Sequence, residues 1–223
     1  MKDEIIIYTG SFGSGKTEIA INQSIEALKK KEKVVIVDLD IVNPYFRSRD
    51  MKEKLKRIGI TVITPPGKFA MADLPLIAPE IKGMLEDSNR RLIIDLGGDD
   101  IGAKSIASFY PVLKDVGYQM EMVINPYRPF TQNSEQIFEM LRELELSSRL
   151  KINSLISNPN LGGQTDLESI IKGHNIVKEA SKELGLPIKY LTIEESIYQK
   201  IGRYNFSEKI MTIHRYMSLP WDG

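Results

Sequence analysis

The segment Gly10–Thr17 reads GSFGSGKT and follows the apolar run Ile5–Tyr8. It matches the pattern G-x-x-x-x-G-K-[ST] of a phosphate-binding loop, with a strand-like run before it and a helix-like stretch after it. Glycines give such a loop unusual backbone angles, so that successive N–H groups turn inward on phosphate oxygens. Lys16 would bring its charge to the β- and γ-phosphates, and the Thr17 hydroxyl is a ligand for Mg²⁺.

We therefore assign the whole loop to phosphate binding: Gly10, Ser11, Phe12, Gly13, Ser14, Gly15, Lys16 and Thr17. The predicted helix begins where the loop ends, so its N-terminal partial positive charge would add to the attraction for phosphate. The alternative interpretation is a glycine-rich connection before a surface helix.

Carboxylates follow the second predicted strand, whose sequence is VVIVD. Asp38 and Asp40 lie on the same side of an extended chain because side chains alternate along a strand. One carboxylate can hold a Mg²⁺-bound water and the other can orient the attacking water. The residues alone leave open which carboxylate takes which role. The alternative is a solvated acidic turn before Asn43-Pro44.

Two later strands end in residues that suit the same site. Asp95 closes the apolar run LIID, which is the Walker B arrangement for a carboxylate that supports Mg²⁺. Gly98, three residues later, can place its N–H against the γ-phosphate and so sense whether that phosphate is present. Asn158 follows LIS and can hydrogen-bond a base, or it can simply form a turn before Pro159. No N-K-x-D motif follows, so we favour ATP over GTP.

The composition limits the classes of protein to which the chain can belong. The chain has 223 residues, 42% apolar and 27% charged, which suits one α/β domain over 1–223. Its 30 basic and 30 acidic residues give zero net charge, which argues against nucleic acid as the main partner. The chain has no cysteine, which excludes disulfides and thiolate metal sites. We find no signal peptide and no membrane-length apolar run, and we expect a cytoplasmic protein without a membrane partner.

Strands and helices alternate along the sequence, which predicts a doubly wound, mostly parallel sheet of about seven strands with helices on both faces. Strands are predicted near 4–9, 33–38, 60–63, 91–95, 120–125, 151–157 and 188–193. Helices are predicted near 16–31, 46–57, 77–87, 101–115, 132–146, 166–184 and 207–217. A capping box of Thr165 and Glu168 would begin the helix at 166–184, and Gly185 would end it.

Together these motifs resemble the MinD/ParA/CobQ-like (SIMIBI-class) family of phosphate-loop nucleotide-binding proteins. The resemblance rests on Gly10–Thr17, VVIVDLD at 34–40, LIIDLGG at 92–98 and NSLISN at 153–158. It implies a parallel sheet, Mg-ATP binding and slow hydrolysis coupled to switching or to the loading of a partner. The same resemblance implies that Lys16 and Thr17 bind phosphate and Mg²⁺. It also implies that Asp40 positions water, that Asp95 supports the metal and that Asn158 contacts the base. With the catalytic, water-orienting role beside Lys16 given to Asp40, Asp38 is then the candidate for the metal.

The chain departs from the usual loop of that family, K-G-G-x-G-K-[ST], because the signature lysine falls at Ser11. That lysine reaches across an ATP-bound dimer in the family, so the homodimer stays an open alternative here. Lys104, Arg47 and Arg49 are candidates to supply the charge, or they are solvated surface residues. The predicted helix at 207–217 is either a membrane-surface helix, as in MinD, or a helix packed on the sheet.

Three functions fit these observations. The first is a switch ATPase acting on an unidentified protein partner, with 43–49 as a switch loop that moves with the γ-phosphate. The second is an ATP-dependent synthetase similar to dethiobiotin synthetase, with an acceptor pocket for a small molecule at 64–79. The third is a nucleotide-bound scaffold that does not hydrolyse. Two isolated histidines, His174 and His214, are interpreted as structural or surface residues.

Overall fold

The computed structural model describes residues 5–30, 32–40, 49–64, 70–87, 89–201 and 204–216. Within those ranges eight strands form one sheet in which every neighbouring pair is parallel. The strands are β1 (Ile5–Thr9), β2 (Val34–Leu39), β3 (Thr61–Ile63), β4 (Arg91–Leu96), β5 (Gln119–Ile124), β6 (Ser154–Ser157), β7 (Ile188–Glu194) and β8 (Ile210–Ile213). Their order across the sheet is β3-β2-β4-β1-β5-β6-β7-β8.

Helices connect the strands and cover the sheet. Over the same described ranges they are α1 (Lys16–Lys29), α2 (Arg49–Arg57), α3 (Ala70–Glu86), α4 (Asp100–Ala107), α5 (Tyr110–Val116), α6 (Ser134–Ser148), α7 (Leu167–Leu184) and α8 (Glu195–Ile201). A short 3-10 turn at Gly162–Gln164 precedes α7. The chain therefore winds back and forth across the sheet, as parallel strands require.

The central strands are buried on both faces. In β1, Ile5 and Ile7 pack into one core layer, whereas Ile6 and Tyr8 pack into the layer on the opposite face. Helix α1 covers the second layer, and residues of α4, α5, α6 and α7 contribute to the first. The doubly wound parallel sheet predicted from the sequence is thus confirmed, with eight strands rather than about seven.

The end of the chain corrects one prediction. A helix was expected at 207–217, but Ile210–Ile213 form β8, which pairs with β7 through Leu191 and Ile210. Met211 and Ile213 point into the core while Thr212 is exposed, which is the two-residue alternation of a strand. A membrane-surface helix over these four residues is therefore wrong; Met217 lies outside the described residues.

Two further helix predictions need correction. The single helix expected at 101–115 is two helices, α4 and α5, and Pro111 lies in the first turn of α5, where a missing N–H is tolerated. The helix expected at 77–87 begins earlier, at Ala70. Helix α8 was not predicted at all, because its seven residues are too few to show a clear apolar period.

The start of α7 also differs from prediction in its capping residues. The N-cap is Asp166, whose side chain accepts from the Ser169 N–H, while the Ser169 hydroxyl accepts from the Asp166 N–H. Thr165 instead donates its hydroxyl to the Gly162 carbonyl oxygen at 2.8 Å. The predicted end is confirmed, because Gly185 adopts the left-handed conformation (φ 65°) at the C-cap.

A buried side chain ties the first helix to the last strand. Asn22 in α1 donates to the His214 carbonyl oxygen at 2.8 Å and accepts from the His214 N–H at 2.8 Å. These two bonds pair the backbone just beyond β8, which would otherwise end next to the helix with unpaired groups. The helix that follows the glycine-rich loop is therefore held by residues from the far end of the sequence.

We expect Asn22→Ala to lower the free energy of unfolding by about 1–3 kcal/mol, because it leaves both backbone groups of His214 without this partner. Gln23→Ala is the control, since the hydrogen bond of the Gln23 amide to a described residue is to the weak acceptor Met211 Sδ, and it should change stability by about 0.5 kcal/mol or less. Urea unfolding followed by circular dichroism measures both. Equal stability of the two variants would contradict this role for Asn22.

Candidate functional site

The glycine-rich loop lies at the carboxyl edge of the sheet, between β1 and α1. The helix starts after Gly15, and this N-cap residue has no side chain that could bond the N–H groups of the first turn. Three hydroxyls in and before the loop, those of Thr9, Ser11 and Ser14, are buried and have no hydrogen-bond partner within the described part of the chain. Buried polar groups are normally paired, so this loop has the unused donors of an anion site.

The acidic residues meet because of strand register. Asp38 in β2 lies directly beside Asp95 in β4, and both are buried. The Asp40 N–H donates to Asp38 Oδ1 at 3.1 Å, which fixes the turn that leaves β2. Adjacent buried carboxylates repel each other unless a cation lies between or beside them.

Lys16 supplies that cation in the structure. Its Nζ lies 2.8 Å from Asp40 Oδ2, and the two side chains are only 6% and 12% exposed. Burial by itself would lower the pKa of Lys16, but Asp40, and at longer range Asp95, hold it above its ordinary value. The lysine is therefore charged at neutral pH, and Asp40 neutralises it inside the site.

Thr17 and Asp95 form the second polar pair of the site. The Thr17 hydroxyl donates to Asp95 Oδ2 at 2.6 Å, while Asp95 Oδ1 is buried and without a hydrogen-bond partner among the described residues. Burial raises the pKa of Asp95 to about 6; Lys16 and the Thr17 hydroxyl oppose the rise, and Asp40 adds to it. A carboxylate kept in so unfavourable a position is a common mark of a functional site.

These residues fit a bound Mg²⁺. Mg²⁺ is usually held by one or two protein oxygens together with substrate phosphates and waters, rather than by a complete protein cage. No cluster of three or more acidic or histidine side chains that could cage a metal occurs in the part of the chain described. Thr17 offers its hydroxyl, and the unpartnered oxygen of Asp95 is available to a metal-bound water.

The loop after β4 touches the glycine-rich loop directly. A Cβ added to Gly98 would overlap the carbonyl oxygen of Gly10, so only a glycine permits this approach. On its other side the same loop leads into α4, where Asp99 accepts from the Gly102 N–H at 2.9 Å. The structure thus brings Gly98 to the loop, where the sequence predicted a contact with the terminal phosphate.

Asn158 lies on the opposite side of the loop, after β6. Its Nδ2 donates to the Ser14 carbonyl oxygen at 2.6 Å, and its Oδ1 accepts from the Thr192 hydroxyl at 2.7 Å. The amide therefore braces the loop from β6 and β7. Its predicted contact with a nucleotide base stays a prediction.

A buried histidine extends this network. His174 Nδ1 lies 3.0 Å from the Ser157 hydroxyl, and its Nε2 lies 2.7 Å from Glu208 Oε2. Burial lowers the pKa of His174, although Glu208 opposes the effect. This arrangement links α7, β6 and the segment before β8, and it agrees with the structural interpretation of His174.

Sequence reasoning missed one site residue, Arg128. It follows β5, and its Nε donates to the Gly13 carbonyl oxygen at 3.2 Å. The signal available was its position, directly after the strand that neighbours β1.

The remaining candidate residues and segments either lie on the surface or fall partly or wholly outside the described residues. Lys104 is an exposed residue of α4. Arg47 and the switch loop through residue 48 lie outside the described residues, as do 65–69 of the proposed acceptor pocket. Arg49 begins α2, and only its backbone is described.

Comparison with known proteins shows the fold. The structure is similar to chloroplast FtsY from Physcomitrella patens (TM-score 0.60, 13% identity, covering 88% of this chain and 61% of that one). It is also similar to the cell division protein FtsY from Thermotoga maritima (TM-score 0.52, 18% identity, 86% and 62%). A third similar structure is FlhF complexed with GTP and Mg²⁺ (TM-score 0.50, 15% identity, 77% and 61%).

These identities establish a shared fold alone, the parallel α/β sheet with helices on both faces, and they do not single out the MinD/ParA/CobQ family. The chain spans about three fifths of the length of each of the three structures. No protein-family model matches the chain, and no curated protein sequence matches it. Among the helices described, none has the length and apolarity needed to cross a membrane.

We expect Gly98→Ala to displace the glycine-rich loop, because the added methyl group has no room beside Gly10. The variant should lose about 2 kcal/mol of stability or more, since backbone rather than a flexible side chain has to move. Gly83→Ala in α3 is the matched control: nothing lies within 4 Å of the added carbon, and alanine favours the helix. Thermal unfolding measures both; equal melting temperatures for Gly98→Ala and the unmodified protein would refute the contact.

We expect Asp95→Asn to stabilise the nucleotide-free protein above pH 6. Because folding raises the pKa of Asp95 to about 6, the folded protein retains a proton that the unfolded chain has lost, and stability falls as pH rises from about 4 to 6. Asparagine escapes this penalty, so the stability difference should grow over that window to about 1–3 kcal/mol and then level off.

Urea unfolding at a series of pH values measures the stability difference between Asp95→Asn and the unmodified protein. Asp115→Asn, at an exposed position of α5, is the control and should show no such difference. A difference for Asp95→Asn that stays constant between pH 4 and 8 would contradict the argument.

Proposed function

We propose that the protein is a Mg-ATP-dependent P-loop ATPase that acts as a nucleotide-dependent switch or partner-loading factor. The observation that carries the proposal is the buried Lys16–Asp40 ion pair inside the glycine-rich loop. Among the described residues, Lys16 forms its ion pair with one carboxylate and lies next to buried hydroxyls without a hydrogen-bond partner. Such a lysine suits an anion that can take the place of that carboxylate.

The proposed binding step is an exchange of partners. The phosphates of ATP would accept from the loop N–H groups and from Lys16, which would release Asp40 from its ion pair. Thr17, Asp38 and Asp95 are the residues that would hold Mg²⁺, which neutralises charge on the β- and γ-phosphates when bound. Once released, Asp40 would orient the water that attacks the γ-phosphorus.

The loop after β4 would respond to whether the γ-phosphate is present. Gly98 already touches Gly10, so a γ-phosphate bound in the loop would lie within reach of the Gly98 N–H. Loss of that phosphate after hydrolysis would free the Gly97-Gly98 turn, which leads straight into α4. The turn and α4 would thus transmit the nucleotide state to a partner.

The choice of ATP over GTP rests on the sequence. FlhF is complexed with GTP and Mg²⁺ and one FtsY with GDP, so nucleotide binding by this fold supports the proposal without deciding the base. This chain reads N-P-N at 158–160 and lacks the carboxylate of an N-K-x-D motif. Without that carboxylate a guanine-specific contact is missing, and adenine is the base we propose.

The missing signature lysine also bears on mechanism. The residue at its position, Ser11, is buried within the loop rather than exposed. A lysine arm that reaches a second subunit is therefore not part of the proposed mechanism, and the chemistry is assigned to one chain.

Stimulation of ATP turnover by a small carboxylic acid, rather than by a protein, would favour the synthetase alternative.

We expect Asp40→Asn to bind ATP as tightly as the unmodified protein or more tightly, because asparagine competes less for Lys16. Its turnover should fall by about 100-fold or more, since the water loses its orienting base. Lys16→Ala should abolish ATP binding, and Lys114→Ala, at an exposed position of α5, should change neither property. Titration calorimetry and phosphate release measure the two quantities; normal hydrolysis by Asp40→Asn would overturn its proposed role.

A further inference from the structure

Arg128 is held in place more firmly than an exposed side chain usually is. Its backbone N–H donates to the Asn125 carbonyl oxygen at 3.0 Å, and its carbonyl oxygen accepts from the Thr131 hydroxyl at 3.2 Å. Thr131 is fully buried and also donates to the Asn125 carbonyl oxygen, at 2.7 Å. The turn that carries the arginine is therefore closed by three hydrogen bonds.

The turn is also anchored to the neighbouring loop and to α7. Asn125 Nδ2 donates to the Asn160 carbonyl oxygen at 2.8 Å, and the Tyr127 hydroxyl donates to the Ser169 carbonyl oxygen at 2.5 Å. A Cβ on Gly173 would lie only 3.1 Å from the Tyr127 ring, so α7 is shaped to admit that ring. Such anchoring lowers the entropy lost when a side chain of the turn contacts a ligand.

The guanidinium itself lies over the glycine-rich loop. Its Nε donates to the Gly13 carbonyl oxygen, and a Cβ on Gly13 would lie 3.1 Å from that Nε, so the absent side chain makes room for it. No carboxylate in the described ranges forms an ion pair with Arg128, and its one recorded bond uses one of the five N–H donors of a guanidinium. The charge and the planar face of the group remain available to a ligand.

The topology decides which part of a nucleotide this group would meet. β1 lies between β4 and β5, and the carboxylates with Lys16 and Thr17 all lie on the β4 side. Metal and terminal phosphate belong to that side, because that is where the acidic groups and the lysine are. The nucleoside must then leave the loop on the side of β5 and β6, where Arg128 and Asn158 lie.

We infer that Arg128 is a nucleoside-binding residue whose planar guanidinium stacks on the base of the bound nucleotide. This inference rests on the proposed nucleotide-binding function and adds to it the residue that covers the base. Arginine suits the role because its delocalised, weakly hydrated cation lies flat on aromatic rings, which a lysine ammonium does not do as well. The contact is equally strong before and after hydrolysis, since the base does not change.

The test compares ligands with and without a base. Binding of ATP, ADP and inorganic tripolyphosphate, each with Mg²⁺, is measured by titration calorimetry for the unmodified protein, Arg128→Ala and Arg128→Lys. Both variants should weaken ATP and ADP about five- to tenfold, between the sizes of an exposed and a fully desolvated cation–π contact, and change tripolyphosphate less than about twofold. Arg142→Ala, at an exposed position of α6, is the matched control and should change none of the three.

Kinetics add a second readout. Because stacking acts on substrate and transition state alike, KM should rise with the same factor while kcat stays within about twofold. Equal weakening of tripolyphosphate would show that Arg128 acts on the phosphates or merely supports the loop, and it would overturn the inference. A fall in kcat with unchanged ADP binding would overturn it as well.

The same measurements distinguish a failure of the proposed function from a failure of the inference on Arg128. If the unmodified protein binds neither ATP nor tripolyphosphate, the nucleotide site itself is wrong and the role of Arg128 falls with it. If the unmodified protein binds ATP and Arg128→Ala binds ATP and ADP just as tightly, only the inference on Arg128 is wrong.

Discussion

The buried ion pair between Lys16 and Asp40 is the interaction on which the site depends. Two charges removed from water cost several kcal/mol each, and mutual attraction offsets that cost only when the geometry is good. Here Lys16 Nζ lies 2.8 Å from Asp40 Oδ2, at the N-terminus of a helix that has no side-chain cap. The pair thus gives the buried charge of Lys16 an internal counterion.

The parallel sheet brings the parts of that arrangement together. Because every strand runs the same way, the loop after β1, the turn after β2 and the glycine pair after β4 all come out at one edge. Register then sets the finer geometry, since Asp38 and Asp95 occupy equivalent positions of adjacent strands. The same edge is crowded with acidic side chains, of which Lys16 pairs with Asp40 and Thr17 with Asp95.

Much of this could be predicted from the sequence, for a physical reason. Runs such as VVIVD and RLIID are apolar throughout, so they identify buried parallel strands, and the residues that end them are fixed at the carboxyl edge. The roles of Thr17 and Asp95 as neighbours followed from the same logic. What failed were short elements: β8 has four residues, and its Ile210 and Ile213 are compatible with a helix as well as with a strand.

Contacts between distant loops were the other limit. Nothing local marks Arg128 as a neighbour of Gly13, because that contact depends on which strand lies beside β1 and on the turn closed by Thr131. Asn158 illustrates the same point: its predicted contact with a base stays a prediction, and its hydrogen bonds to Ser14 and Thr192 could not be foreseen from the sequence. Strand ends are predictable from sequence, whereas the pairing of side chains across loops requires the order of the sheet.

The tie between Asn22 and the backbone of His214 has a consequence for how the molecule is made. The two residues are 192 positions apart, so a ribosome must add that many residues after Asn22 before these hydrogen bonds can form. Contacts this remote slow folding, because a long loop must close before they form. The helix behind the glycine-rich loop is thus synthesised well before the segment that secures it.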